Sequence, residues 1–323
     1  MSARIRVPMI FPGQASQAVG MAADLLDRPG AAGGFLRSVD GILGYPLTRL
    51  MADGPLETLT ETHHAQPAIL AHSVAVVLAL RELGIEPSLV AGHSIGEYSA
   101  AAAAGAFTPQ DALRAVRRRG ELMFAAGTEV PGAMAAVLGL AADKVAEVCR
   151  EVAATHGVVV PANHNSDVQV VISGEVAAVA AAGPALTAAG AKRVIPLNVS
   201  GAFHSPLLEG AAAAFRDFLA TLPLADPAVP LVANVSATPV TTAARLGEGL
   251  GRQLTAAVRW HETMEYIAAG AGSGTPPAYV LEVGPGKVLT GLAKRAYPQV
   301  QFIAVGTAAE IEALPAQLAG AAA

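Results

Sequence analysis

Five short apolar runs constrain this chain more than any other feature: "RVPMIFPG" (6–13), "SLVAGHS" (88–94), "PLVANVS" (230–236), "AYVLEVGPG" (278–286) and "QFIAVG" (301–306). Each closes on glycine, proline or serine and leads into a helical pattern. Strands that are apolar throughout can bury both faces only in a parallel sheet covered by helices, so an α/β core is expected. The chain is long enough for it, with 323 residues of which 53% are hydrophobic, alanine being the commonest of them. The longest apolar stretches carry Arg, Glu or Gly within any twenty-residue window, so no membrane span is expected. Nor is export: the first apolar run, Ile5 to Phe11, is too short for a signal-peptide core and ends in Pro12-Gly13. One cysteine, Cys149, cannot form an internal disulfide, which fits a reducing, cytoplasmic compartment, and it reads as an apolar filler on a helix from Asp143 to Ala154. A net charge of −5 with 4% aromatic residues provides no basic stacking face for nucleic acid.

Between residues 132 and 200 the rhythm changes. "GAMAAVLGL" reads as a strand, "AADKVAEVCREVAATH" as a helix, "VVVPANHN" and "VQVVISG" as two strands, "EVAAVAAAGPALTAAG" as a helix and "AKRVIPLNV" as a strand. This βαββαβ order is the split, ferredoxin-like unit. The expected organisation is a discontinuous large α/β-hydrolase-like domain (1–127 and 199–323) with a small ferredoxin-like domain inserted at 128–198. Pro184 is expected to kink or end the second helix of the insert, and the alanine-rich tail after Pro315 is expected to fray.

Within "SLVAGHSIGEYSAAAAAGA", Ser94 sits in a GxSxG turn between a strand and a helix. That arrangement lifts a serine hydroxyl to a helix N-terminus, where free amides and the positive end of the helix dipole stabilise an oxyanion. A nucleophilic serine needs a base, and the eight histidines are unequal candidates. His93 adjoins the serine and is expected to point away from it in a structural role, while His63 and His64 lie in a polar stretch and are expected to be solvated. His204 precedes Ser205 and Pro206, a good N-cap and first residue for the helix "PLLEGAAAAFRDFLATL". It therefore lies on a loop at a helix mouth, where α/β folds keep catalytic groups.

In "DALRAVRRRGELMFAAG", Ala112, Val116, Arg119 and Met123 share one helix face. Arg114, Arg117 and Arg118 fall elsewhere and can be solvated. Arg119 projects from an apolar stripe, where a guanidinium requires an anionic partner: a carboxylate of the protein or one of a substrate.

With these pieces in place, the chain resembles the malonyl-CoA:acyl carrier protein transacylase family over almost its whole length. The matching blocks, in order, are "FPGQASQAVGM", "AQPAIL", "GHSIGEYSA", "RRRGELM", "GAMAAVLGL", "NHNSDVQVVISG", "GAFHSPLL", "RQLTAAVRW" and "EVGPGKVLTGL". The resemblance implies a ping-pong mechanism in which Ser94, activated by His204, takes malonyl from malonyl-CoA and passes it to the phosphopantetheine thiol of an acyl carrier protein. It assigns the oxyanion-hole amides to Gln14 and Ile95, the grip on the malonyl carboxylate to Arg119, and the orientation of His204 to the backbone carbonyl of Gln253. On the residues alone, Asp111 or Asp167 could equally complete a triad. Ile95 and Phe203 resemble members selective for malonyl; relatives that take methylmalonyl tend to carry glutamine and serine there. No metal and no cofactor is implied, coenzyme A thioester being the substrate, and the expected enzyme is a free-standing cytoplasmic monomer. Arg117, Arg118 and Lys287 are candidate contacts for an acidic carrier.

Three positions depart from the family: Ala15 where glycine is usual, Asp167 in place of the common proline, and Ala256-Ala257 in place of Asn-Pro. Three other readings compete. An editing thioester hydrolase could use the same elbow but has no need of a buried cation in an acyl pocket. A transferase serving a malonate decarboxylase fits "GEYSA" less well, and a non-catalytic scaffold has no reason to keep Ser94, Arg119 and His204 together.

Overall fold

A computed structural model of the chain describes residues 4–199 and 201–319. From the N-terminus, β1 (Ile5–Phe11) leads through four short helices, α1 (Ala23–Leu26), α2 (Ala31–Leu43), α3 (Leu47–Asp53) and α4 (Leu56–Thr60), into the long α5 (Thr62–Glu82). Then come β2 (Ile85–Gly92), α6 (Gly96–Ala103) and α7 (Pro109–Glu129). A second set follows: β3 (Gly132–Leu138), α8 (Ala142–His156), β4 (Val159–Ser166), β5 (Gln169–Glu175), α9 (Val176–Ala188) and β6 (Arg193–Pro196). The chain returns through a 3-10 turn at Pro206–Leu208 to α10 (Glu209–Leu219), β7 (Leu231–Val232), β8 (Pro239–Val240) and α11 (Ala243–Arg252). It ends with α12 (Trp260–Ala268), β9 (Tyr279–Val283), α13 (Val288–Ala296), β10 (Gln301–Val305) and α14 (Ala308–Ala319).

All five apolar runs enter one six-stranded sheet, ordered β10-β9-β1-β2-β7-β8. Every pairing in it is parallel except the β7–β8 hairpin. Met9, Ile10 and Phe11 of β1 are fully buried, as a central strand covered on both faces must be. Helix α5 is long and apolar enough to cross a membrane, but most of it is buried inside the protein, where it packs along α7.

The second sheet is antiparallel, ordered β4-β5-β3-β6, the arrangement a split βαββαβ unit produces. It has its own apolar cluster with α8 and α9, including Val137, Val148, Ile172 and Leu186. Cys149 lies in that cluster, where burial pushes its thiol up to about 12, so it packs as an inert apolar group. Helix α9 continues through Pro184 to Ala188, so the proline does not end it, and α14 continues through Pro315 to Ala319, so the described part of the tail is helical. Buried Val179, Ala182 and Leu186 in the one, and Ile311, Leu314 and Leu318 in the other, hold these segments against the lost hydrogen bond and ring clash that an interior proline brings. Residues 320–323 of the tail, and Ser200 before the histidine loop, lie outside the described residues.

One backbone seam fixes the two sheets relative to each other. The His164 N–H donates to the Val258 carbonyl (2.9 Å) and the Val258 N–H to the Ala162 carbonyl (2.8 Å). Strand β4 is thereby docked over the C-terminal end of the parallel sheet, the end at which α/β folds keep their sites.

Candidate active site

Between the end of β2 and the start of α6 only His93, Ser94 and Ile95 remain to reverse the chain. Ser94 occupies the left-handed region, φ 52°, which an L-residue enters only when its surroundings hold it there. Asn234, just beyond β7, does so: its Oδ1 accepts the Ser94 N–H (2.8 Å) and its Nδ2 donates to the Gly92 carbonyl (2.6 Å). The two flanking glycines are steric requirements. A Cβ on Gly92 would lie 2.0 Å from the Gly96 carbonyl oxygen, and one on Gly96 would lie 2.2 Å from that of Phe11.

The loop after β6 delivers His204, also left-handed at φ 57°. Ser205 caps the following turn as expected, accepting the Leu207 N–H (3.3 Å). The His204 Nε2 lies 2.8 Å from Ser94 Oγ, and its Nδ1 lies 2.9 Å from the Gln253 backbone oxygen. A carbonyl can only accept, so Nδ1 carries the proton and Nε2 is free to accept from the serine. Burial first, and the Arg119 charge second, push the imidazole down to about 3, so it is a neutral base. Asp111 and Asp167 take no part. Asp111 accepts from Thr108 and Arg114 at the start of α7, and Asp167 is exposed on the β4–β5 turn.

Arg119 is 1% exposed on the apolar face of α7 that its spacing predicts. Among the described residues no carboxylate forms an ion pair with it. Its Nη1 donates to Gln66 Oε1 (2.7 Å), and its Nη2 donates to Gln253 Oε1 (2.9 Å) and Ser94 Oγ (3.2 Å). The ring of Tyr98 lies 5.5 Å from the guanidinium carbon. Among the described residues the buried Arg119 Nε–H has no hydrogen-bond partner, and Tyr98 beside the guanidinium favours the charged form. Burial works against the charge and lowers the pKa, and an incoming anion relieves that cost.

Gln14 lies on the loop after β1, with its side chain donating to Thr62 Oγ1 (3.1 Å), and Ile95 is the N-cap of α6. Among the described residues neither backbone N–H meets an acceptor. Ala15, where the family usually has glycine, adopts φ 77°. Alanine there carries a strain of about 1–2 kcal/mol, and its N–H is held by Gln17 Oε1 (2.8 Å).

Ser94, His204, Arg119, Gln14 and Phe203 line one cavity of about 410 Å³, walled on the far side by Asn165 of β4. Of the two residues expected near the acyl group, only Phe203 faces this space. The side chain of Ile95 turns into the core, 1% exposed, because the left-handed serine before it points outward and sends the next residue inward. His93 serves the wall: its Nε2 lies 2.8 Å from Asn165 Oδ1, and burial lowers its pKa. His63 and His64 are half-buried at the start of α5, packed on Phe124 and Tyr45, where solvent was expected. Arg117 and Arg118 both pair with Glu121.

Three residues of the site had no role in the sequence reading: Gln66, Glu97 and Asn234. Glu97 is a carboxylate 1% exposed within an alanine-rich helix. Its Oε1 accepts the Asn234 N–H (3.2 Å) and its Oε2 accepts from Gln253 Nε2. Burial raises its carboxyl to about 7, opposed by those donors and by Arg119. The available signal was a lone acid among alanines, a composition that burial makes costly unless the acid is used.

Fold and site define a class: an α/β protein that presents a serine beside a neutral histidine and a buried cation, equipped to carry an acyl group. The family of acyl transferase domains matches residues 9–315. The chain is similar to the malonyl CoA-acyl carrier protein transacylases of Bacillus subtilis (41% identical, covering 95% of each chain) and Escherichia coli K12 (44% identical, 88% of this chain and 91% of the relative). Among solved structures, the acyl-carrier-protein-S-malonyltransferase of Bartonella henselae matches with a TM-score of 0.91 at 42% identity, over 98% of this chain and 100% of that one. A malonyl-transacylase solved in complex with its type II PKS acyl-carrier protein matches with a TM-score of 0.88 at 42% identity, over 95% and 98%. The chain belongs to the malonyl CoA-acyl carrier protein transacylase family of acyltransferases.

Proposed function

We propose that this enzyme transfers a malonyl group from malonyl-CoA to the phosphopantetheine thiol of an acyl carrier protein through a malonyl ester on Ser94. The observation that carries the reading is Arg119: a buried cation, unpaired with any described carboxylate, whose Nη2 donates to the serine hydroxyl. A simple acyl chain gives such a cation nothing to bind, whereas a malonyl carboxylate does.

The steps follow from the geometry. Ser94 Oγ attacks the thioester carbon while its proton passes to His204 Nε2. The oxyanion formed at the carbonyl meets the free N–H groups of Gln14 and Ile95. Collapse breaks the carbon–sulfur bond, and coenzyme A leaves with the proton held by His204. The carrier thiol then attacks the malonyl ester, giving its proton to His204, which returns it to Ser94 Oγ. A carboxylate on Arg119 also offsets the charge that depresses His204, so binding of the right acyl group strengthens the base.

Each of these steps uses only Ser94, His204, Arg119 and two backbone amides, so the proposed reaction calls on no metal or cofactor, and the enzyme is proposed to act as a monomer. The lone buried cysteine supports a reducing cytoplasm. Incubation of the enzyme with malonyl-CoA and a holo acyl carrier protein, followed by the mass of the carrier, tests the reading. The expected product is malonyl-carrier; release of free malonate with no carrier product contradicts it and favours the editing hydrolase.

A further inference from the structure

We propose that Glu97 is a positioning residue for acyl selection, acting through the side-chain amide of Gln253 to hold Arg119 ready for a malonyl carboxylate. The inference rests on the malonyl-transfer reading and assigns it a residue that neither touches substrate nor enters the proton path.

Once ionised, the Glu97 carboxylate can only accept, so its Oε2 compels Gln253 to turn its NH2 group toward it. The other N–H of that amide donates to the Ser94 carbonyl (3.0 Å). The amide oxygen is then directed to Arg119 Nη2 (2.9 Å). Were the amide reversed, two donors would face each other and Arg119 would lose one of the two glutamine oxygens that seat it, the other being Gln66. Glu97 is itself held by the Asn234 N–H, on the residue that brackets the serine turn.

The interposed amide has a second consequence. Glu97 attracts Arg119 through space, yet no described ion pair quenches the guanidinium, and among the described residues its Nε–H has no hydrogen-bond partner. The third contact of Arg119 is Ser94 Oγ, the atom that acylation converts to an ester. The cation is thus fixed from behind by two neutral amides and left open toward the acyl group. An acetyl group has no use for this arrangement, so disturbing it penalises malonyl selectively.

The test is the rate constant for acylation of Ser94 by malonyl-CoA and by acetyl-CoA, followed by intact mass. It is made on wild type, Glu97→Gln, Gln253→Met, Arg119→Ala and the Glu97→Gln/Arg119→Ala double variant. The malonyl:acetyl ratio of kcat/KM is expected to fall at least about tenfold in Glu97→Gln and in Gln253→Met, mainly through KM for malonyl-CoA, the scale of one charge-assisted hydrogen bond. The double variant is expected to match Arg119→Ala, since residues acting as one unit are not additive. Equal loss for both thioesters, or an unchanged ratio, overturns the proposal by reducing Glu97 to a structural residue. If Glu97→Gln does not fold, Gln253→Met decides by the same ratio. A wild type that accepts no malonyl group overturns the transfer reading itself; a malonyl-selective wild type whose variants keep that selectivity overturns only the role of Glu97.

Discussion

The Nδ1 of His204 lies 2.9 Å from the backbone carbonyl of Gln253, so the base is oriented by main chain and not by an acid. The acceptor carries no full charge, so its pull toward protonation is outweighed by burial of the imidazole. With Arg119 nearby, the histidine stays neutral far below its ordinary titration range.

That neutrality has a consequence for stability. In the unfolded chain a histidine titrates near 6.5, but folded His204 takes its proton only near 3. Between those values the unfolded state binds more protons, so stability falls as pH falls, by up to about 1.4 kcal/mol per unit for this group. Buried His72 and His93 are shifted the same way. Glu97 works in the opposite sense: raised from 4.5 to about 7, it favours the fold at low pH and loses that contribution as pH rises through 7. Glu282 is raised by burial as well, but five histidines, His64, His72, His93, His164 and His204, are lowered by it, which leaves a net loss on acidification. The urea midpoint is expected to drop from pH 6.5 to pH 5, and a flat or rising midpoint contradicts the assignment.

Arg119→Ala removes the only group in the pocket argued to need a carboxylate. Its loss is expected to cut acylation by malonyl-CoA about 10- to 150-fold, the worth of a hydrogen bond to a charged group, while acetyl-CoA becomes the better substrate. Competition between the two thioesters in one tube, read by mass, checks it. Retained malonyl preference means the carboxylate is bound elsewhere.

Phe203 lines the cavity and is 6% exposed. Phe203→Ser opens space beside the acyl carbon and is expected to raise the methylmalonyl:malonyl ratio by about 10- to 200-fold, the range that one methyl controls. The matching change at Ile95 is expected to do less, because that side chain lies in the core. A larger effect at Ile95 than at Phe203 reverses this assignment.

Much of this was legible in the sequence, for a physical reason. Ser94, His204 and Arg119 stand where local rules are strict: a strand-turn-helix with glycines, a capped helix mouth, and a charge on an apolar face. The parallel strands and the βαββαβ order follow from period and length alone. What local rules could not provide was long-range pairing. Gln253 meets His204 across 49 positions, a pairing that came only from the family resemblance, and Asn234 meets Ser94 across 140, which nothing in the sequence reading indicated. His63 and His64 read as solvated because their neighbours in sequence are polar, but Tyr45 and Phe124 come from distant elements. Pro184 read as a kink or end of its helix, and the tail after Pro315 as frayed, because propensity is local, whereas the packing that carries both helices onward is not.

The turn that carries the serine leaves no room for an added Cβ at either flanking glycine. Gly96→Ala places a Cβ 2.2 Å from the Phe11 carbonyl oxygen, on backbone at the centre of the sheet. It is expected to destabilise by about 3 kcal/mol or more and to abolish acylation, as measured by urea unfolding and mass together. A variant of normal stability and activity contradicts the close packing of this turn.

The central claim is that Ser94 carries the acyl group, and the intact mass of the enzyme after brief exposure to malonyl-CoA tests it most directly. Wild type is expected to gain one malonyl group and Ser94→Ala none, with the adduct lost when a carrier thiol is added. A malonyl adduct of equal yield on Ser94→Ala, or no adduct on wild type under conditions where the carrier is malonylated, contradicts the account.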